Sequence, residues 1–164
     1  MKYIKIDENG IHIVFGITDR NQIKLLHFSK AEFCEEDICK FGPECKAEDL
    51  ARRDQLIDEA FQLVQVNLAG YDRPYEKHGN KHICTVPGYL LTYAGMDDCV
   101  NEMGRKITVY QEDKAVTHVR LETEMQFYKG TSVVRMKNRI INEGEDTQCL
   151  EYLSSFCYTG IEKE

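Results

Sequence analysis

The sequence predicts an all-β fold, a β-sandwich, and three observations carry the prediction. Apolar residues recur at every second position in several separate stretches, the period of half-buried strands. Turn chemistry interrupts those stretches at intervals of roughly 8–12 residues, the spacing of sandwich strands. Only one segment, 47–60, is built of good helix formers, and its Leu50, Leu56 and Ile57 make a partial apolar stripe.

The elements follow in chain order. Ile11, Ile13, Phe15 and Ile17 alternate with other residues and predict an early strand, bounded by Asp7-Glu8-Asn9-Gly10 and Thr18-Asp19-Arg20-Asn21. A further strand is expected over 22–28. Residues 30–60 then form an acidic excursion broken at Phe41-Gly42-Pro43, with one short helix at 47–60. Long connections on rigid sheets often carry function, and a cover over a sheet edge is the plainer reading. Strands are expected again at 61–68 and 89–93. Ile107 and Val109 precede a turn at Glu112-Asp113-Lys114.

The cleanest pattern is 119–127, where Val119, Leu121, Met125 and Phe127 face one way and Arg120, Glu122 and Glu124 the other. Val134, Met136 and Ile140 repeat it against Arg135, Lys137 and Arg139. Lys129-Gly130 and Asn142-Glu143-Gly144-Glu145 supply the turns, and 149–158 reads as a last strand. Eight or nine short strands result. The 164 residues fit a single domain, 1–164, with no internal repeat. The apolar strand at 149–158 runs almost to Glu164, so the chain end is expected to be either natural or a cut within a larger protein.

Composition narrows the function classes. The net charge of −7 comes from 28 acids against 21 Lys and Arg, interleaved along the chain. Nucleic-acid binders gather cations on one face to displace phosphate counterions, so nucleic acid is not an expected partner, nor is an anionic membrane. No stretch approaches the ~20 apolar residues that span a bilayer. Met1-Lys2-Tyr3-Ile4-Lys5-Ile6-Asp7 has no apolar core of the secretory kind, which makes the cytoplasm the expected compartment.

Seven cysteines occur without a C-x-x-C spacing. Reduced thiols serving as small apolar filler are the expectation. A metal site of Cys34, Cys39 and Cys45 with His27 or His82 is the alternative.

The chemistry-rich stretch is 70–88, GYDRPYEKHGNKHICTVPG. His78 and His82 stand four apart, as metal ligands do on a helix. Gly79 and Asn80 lie between them, Pro74 and Pro87 flank them, and no H-E-x-x-H glutamate is present, so neither a helix nor a metal is expected. Asp72, Arg73, Tyr75, Glu76, His78, Lys81 and His82 offer forked donors, acceptors and a ring, the groups that bind sugar hydroxyls and an apolar sugar face. An equal reading pairs Arg73 with Glu76 and leaves the histidines on loop carbonyls.

No catalytic set emerges. Lys5-Ile6-Asp7 has the K-x-D form of the nucleophile strand in several barrel glycoside hydrolases, but at the head of an all-β chain and opening a turn it is coincidental. Glycoside cleavage needs two facing carboxyls roughly 5–10 Å apart. Adjacent acids such as Glu35-Glu36-Asp37, Glu48-Asp49 or Asp97-Asp98 point apart on a strand. Ser154-Ser155 lacks the G-x-S-x-G setting. Neither a catalytic residue, a metal nor a cofactor is expected.

A series of segments resembles a known family. Val64-Gln65-Val66-Asn67-Leu68-Ala69-Gly70, then His78-Gly79-Asn80-Lys81-His82, then Thr85-Val86-Pro87-Gly88-Tyr89-Leu90-Leu91-Thr92-Tyr93 is similar to the N-terminal region of glycoside hydrolase family 36 α-galactosidases. Asn101-Glu102-Met103-Gly104-Arg105-Lys106, Val133-Val134-Arg135, Ile141-Asn142-Glu143-Gly144-Glu145 and Leu150-Glu151-Tyr152-Leu153-Ser154-Ser155-Phe156 continue it. The order holds over 61–164 and more loosely over the first 30 residues.

The resemblance implies a β-supersandwich like that of galactose mutarotase, preceding a catalytic barrel that carries two aspartates and cleaves terminal α-galactosides with retention. This chain has no barrel, so those aspartates map onto none of its residues. The implied role is a non-catalytic domain, inactive alone, that supports homo-oligomer assembly and the rim of a sugar pocket. Asp72, Arg73, Glu76, His78, Lys81 and His82 are the rim or interface candidates. In some relatives such a domain lends loop acids or a tryptophan to a neighbour's pocket; this chain has no tryptophan. A free-standing sugar-binding or mutarotase-like protein, with His78 or His82 and Glu76 as acid and base, is the alternative.

Overall fold

The computed structural model describes residues 1–35, 61–71 and 85–158, and they fold into antiparallel sheets with one short helix. β1 (Lys2–Glu8), β2 (Ile11–Ile17) and β3 (Ile23–Ser29) form a three-stranded sheet in that order. Asn9 and Gly10 connect β1 to β2 with φ of 52° and 75°, the left-handed pair of a two-residue hairpin turn. The helix α1 (Val86–Leu90) leads into β5 (Thr92–Val100). β5, β6 (Arg105–Asp113), β7 (Val119–Phe127) and β8 (Val134–Asn142) form a four-stranded meander. β4 (Val66–Leu68) pairs with β9 (Leu150–Leu153) as a two-stranded sheet.

The period-two stretches fold as their patterns require. β6 and β7 alternate buried and partly exposed residues along most of their length. One apolar core results, joining Ile6, Ile13, Phe15 and Leu25 of the first sheet to Ile107, Val109, Leu121, Met125 and Phe127 of the meander, with Leu63, Val64, Val66 and Leu68 between them in sequence. Phe15, Phe127 and Met125 are fully buried, each contributing about 2–3 kcal/mol by removal from water. All three sheets therefore depend on the same interior, as a sandwich demands.

The first sheet and the meander are also stapled at one end. Arg105 donates from Nη2 and Nε to Asp98, at 2.7 and 3.0 Å, and from Nη1 to the Asp7 carbonyl at 3.2 Å. Its Nη1 lies 3.5 Å from Glu8. Asn9 donates to the Tyr128 carbonyl and Ser132 to the Asn9 carbonyl, at 2.9 and 2.8 Å. The β1–β2 turn is thus tied to the β7–β8 turn.

Four expectations change. The stretch 61–68 is strand only at Val66–Leu68; Gln62 makes an isolated bridge to Lys24. The stretch 89–93 begins in α1, because the Thr85 hydroxyl accepts from the Gly88 N–H and a proline occupies the first turn. The stretch 149–158 is strand only to Leu153; the Asn138 amide then holds the Ser154 and Ser155 carbonyls, at 2.6 and 3.2 Å. Residues 2–8 form an additional strand, paired with β2 from Lys2↔Ile17 to Glu8↔Ile11. The helix expected at 47–60 lies outside the described residues. Among the described residues, no helix is long and apolar enough to cross a membrane.

Candidate functional site

The nominated residues Asp72, Arg73, Glu76, His78, Lys81 and His82, with Tyr75, lie outside the described residues. Their flanks are described, and both are fastened to β4. On the leading side the Ala69 N–H donates to the Cys149 carbonyl at 2.9 Å, and the Tyr71 N–H to the Leu68 carbonyl at 3.3 Å. Gly70 turns the chain there with φ of 86°, a conformation costly to other residues. On the returning side the Thr85 hydroxyl donates to the Val66 carbonyl while capping α1. Tyr71 and Thr85 are thus both held to the same three-residue strand.

Beneath α1 lies a layer of neutral amides. Gln22 Nε2 donates to the Tyr89 carbonyl at 2.5 Å. A Cβ at Gly88 would sit 3.1 Å from each amide atom of Gln62 and 3.0 Å from the Thr85 hydroxyl, so the glycine makes room for that side chain. Gln22, Gln62 and Thr85 are all buried. Nearby, burial pushes the Tyr93 phenol above its ordinary pKa. Spacing along the chain gives no sign of this layer, since its members come from distant segments. The capping pattern Thr85-Val86-Pro87 was the one readable signal for the helix itself.

Four aspartates among the described residues, Asp7, Asp97, Asp98 and Asp113, hold the scaffold. Asp97 accepts from the Tyr110 hydroxyl at 2.7 Å, whereas Asp98 accepts from Arg105. Neighbours in β5, they engage opposite sides of the meander and do not face each other. The bond to Asp97 raises the Tyr110 pKa, and the bond from Arg105 lowers that of Asp98. Asp7 stands 2.5 Å from His12 Nδ1, its cross-strand partner, so the K-x-D aspartate is engaged within a hairpin.

Asp113 opens the β6–β7 turn. Its carboxylate accepts from the N–H groups of Ala115, Val116 and Thr117, at 3.0, 3.3 and 2.8 Å, and from the Thr117 hydroxyl at 2.7 Å. Burial alone would raise its pKa, but these donors outweigh burial and lower it.

Among the described residues, no group of three or more His, Cys, Asp or Glu is placed to hold a metal. Cys39, Cys45 and His82 lie outside them. His27 is engaged at 2.8 Å with the Ala31 carbonyl and edge-on to Phe33. Cys34, Cys99, Cys149 and Cys157 are free thiols, but the first three are exposed. These three are therefore not core filler, because they occupy a sheet edge and connecting segments. Cys157 is partly covered, and burial raises its pKa.

No protein-family model matches the chain, and no curated protein matches it.

Proposed function

We propose that the chain is a non-catalytic β-sandwich domain of α-galactosidase type, of the supersandwich kind, whose hydrolytic chemistry is supplied by a catalytic barrel on further polypeptide. The observation that carries the reading is a pairing in space. The first and last segments of the family-like series, 64–70 and 150–156, contain β4 and β9, which pair with each other. The two ends of the series thus meet. Its described middle pieces fall on α1, the β5–β6 turn and the two ends of β8, while 78–82 lies outside the described residues.

Two further features support the reading. Asp7, Asp97, Asp98 and Asp113 each serve a hairpin, a strand or a turn. The residues on either side of 72–84, Tyr71 and Thr85, are bonded to β4, and this reading assigns Asp72, Arg73, Glu76, His78, Lys81 and His82 to a pocket rim or subunit interface. The partners are α-galactosides, through the complete enzyme, and further copies of the chain.

The experiment joins the chain to an α-galactosidase barrel and follows nitrophenyl α-galactoside hydrolysis. Activity is expected to depend on the domain. His82→Ala or Arg73→Ala is expected to raise KM about tenfold with kcat little changed, the signature of lost uniform binding. A barrel that gains nothing from this domain contradicts the reading.

A further inference from the structure

The four-stranded meander leaves two edges, β5 and β8, and among the described residues each pairs with one strand only. The edges carry opposite charge. Asp97 is exposed on β5, beside Asp98 held by Arg105, while Arg135, Lys137 and Arg139 are exposed on β8. Exposed edges invite another strand, and like charges directly opposite each other oppose pairing. A symmetric β5–β5 contact would set acid on acid, and β8–β8 base on base. The arrangement left without repulsion is β5 against β8.

The geometry agrees. Both strands are nine residues long, and they run antiparallel to each other within the meander. Cys99, Lys106, Gln126 and Arg135 form one row across the sheet, and Asp97, Thr108, Glu124 and Lys137 another. Continuing these rows into a second copy sets Lys137 opposite Asp97 and Arg135 opposite Cys99. Val100 is 76% exposed, and the same register sets it opposite Val134 at one end of the seam. The start of β5 is closed off by Asn21, which exchanges hydrogen bonds of 2.6 and 2.9 Å with Tyr93. The usable edge is therefore Met96–Val100.

We propose that copies of this chain associate head to tail, with Met96–Val100 of β5 extending the sheet against the first half of β8 in a second copy. The seam gives the oligomer assembly of the preceding reading a surface and rests on that reading for nothing else. Solution association and barrel complementation are separate measurements, so either can fail alone.

The contact is heterologous, so it grows beyond two copies unless the rotation closes a ring. Sedimentation velocity on the full chain is expected to show concentration-dependent association that weakens several-fold between about 0.05 and 0.5 M salt. Asp97→Lys and Lys137→Asp are each expected to abolish it. The double variant, with both charges exchanged, is expected to restore it, which separates loss of the seam from loss of the fold. Under oxidation, Arg135→Cys is expected to link to Cys99 of a second copy and give a ladder of species. A monomer at all concentrations, single variants that still associate, or a double variant that does not recover overturns the proposal.

Discussion

Asp113 concentrates more backbone donors than any other carboxylate described above. Replacing it with alanine leaves the N–H groups of Ala115, Val116 and Thr117 without their acceptor, the last of them buried. A loss of about 2–4 kcal/mol is expected in urea unfolding at neutral pH. The pH dependence has a definite sign. The folded carboxyl titrates below its ordinary value, so the stabilisation is complete above the unfolded value and fades as pH falls through the folded one. The gap between wild type and Asp113→Ala should narrow on acidification, and a gap that widens contradicts this role. Gly104 is a second sensitive point. Its φ is 148°, and a Cβ there would run into the Phe127 carbonyl oxygen. Gly104→Ala is expected to cost about 2–3 kcal/mol, measured in the same way.

At the scale of elements, the β5–β6 turn shows how one side chain on a neighbouring strand completes a hairpin. Asn101 Oδ1 accepts from the Met103 and Gly104 N–H groups, at 2.9 and 3.0 Å, and Asn101 Nδ2 donates to Gln126 Oε1 at 2.6 Å. Gln126 in turn donates to the Phe127 carbonyl at 2.8 Å. The two residues act as a unit. The double variant Asn101→Ala, Gln126→Ala should therefore lose less than the sum of the singles, by about 1 kcal/mol. Strict additivity in a double-mutant cycle would sink the idea. Period-two alternation is readable from sequence, which is why 119–127 matches β7, and 11–17 matches β2 although Val14 and Gly16 are buried on its second face too. β1 carries a weaker signal, because Ile4 and Ile6 alternate with Tyr3, Lys5 and Asp7 in a stretch that resembles a solvated segment. α1 was hidden because Tyr89, Leu90 and Leu91 read as a strand, and the cap at Thr85 outweighed that local preference. The amide layer under α1 had no sequence signal at all, since tertiary contact alone assembles Gln22, Gln62 and Thr85.

At the scale of the molecule, the shared core predicts that the described sheets unfold together. Arg105 tests the joint between them. Arg105→Met removes the bonds to Asp98 and the Asp7 carbonyl while leaving most of the apolar stem. Faster amide exchange in β1 and β2 is expected, with β6 and β7 little affected. Uniform acceleration across all strands would show that the clamp is not local. The same interior fixes β4, and through it Tyr71 and Thr85. The proposed function assigns hydrolysis to further polypeptide. The most direct measurement is steady-state hydrolysis of nitrophenyl α-galactoside by the purified 164-residue chain alone. No turnover above the buffer rate is the result the account predicts, and turnover that follows the concentration of this chain is the result that would contradict it.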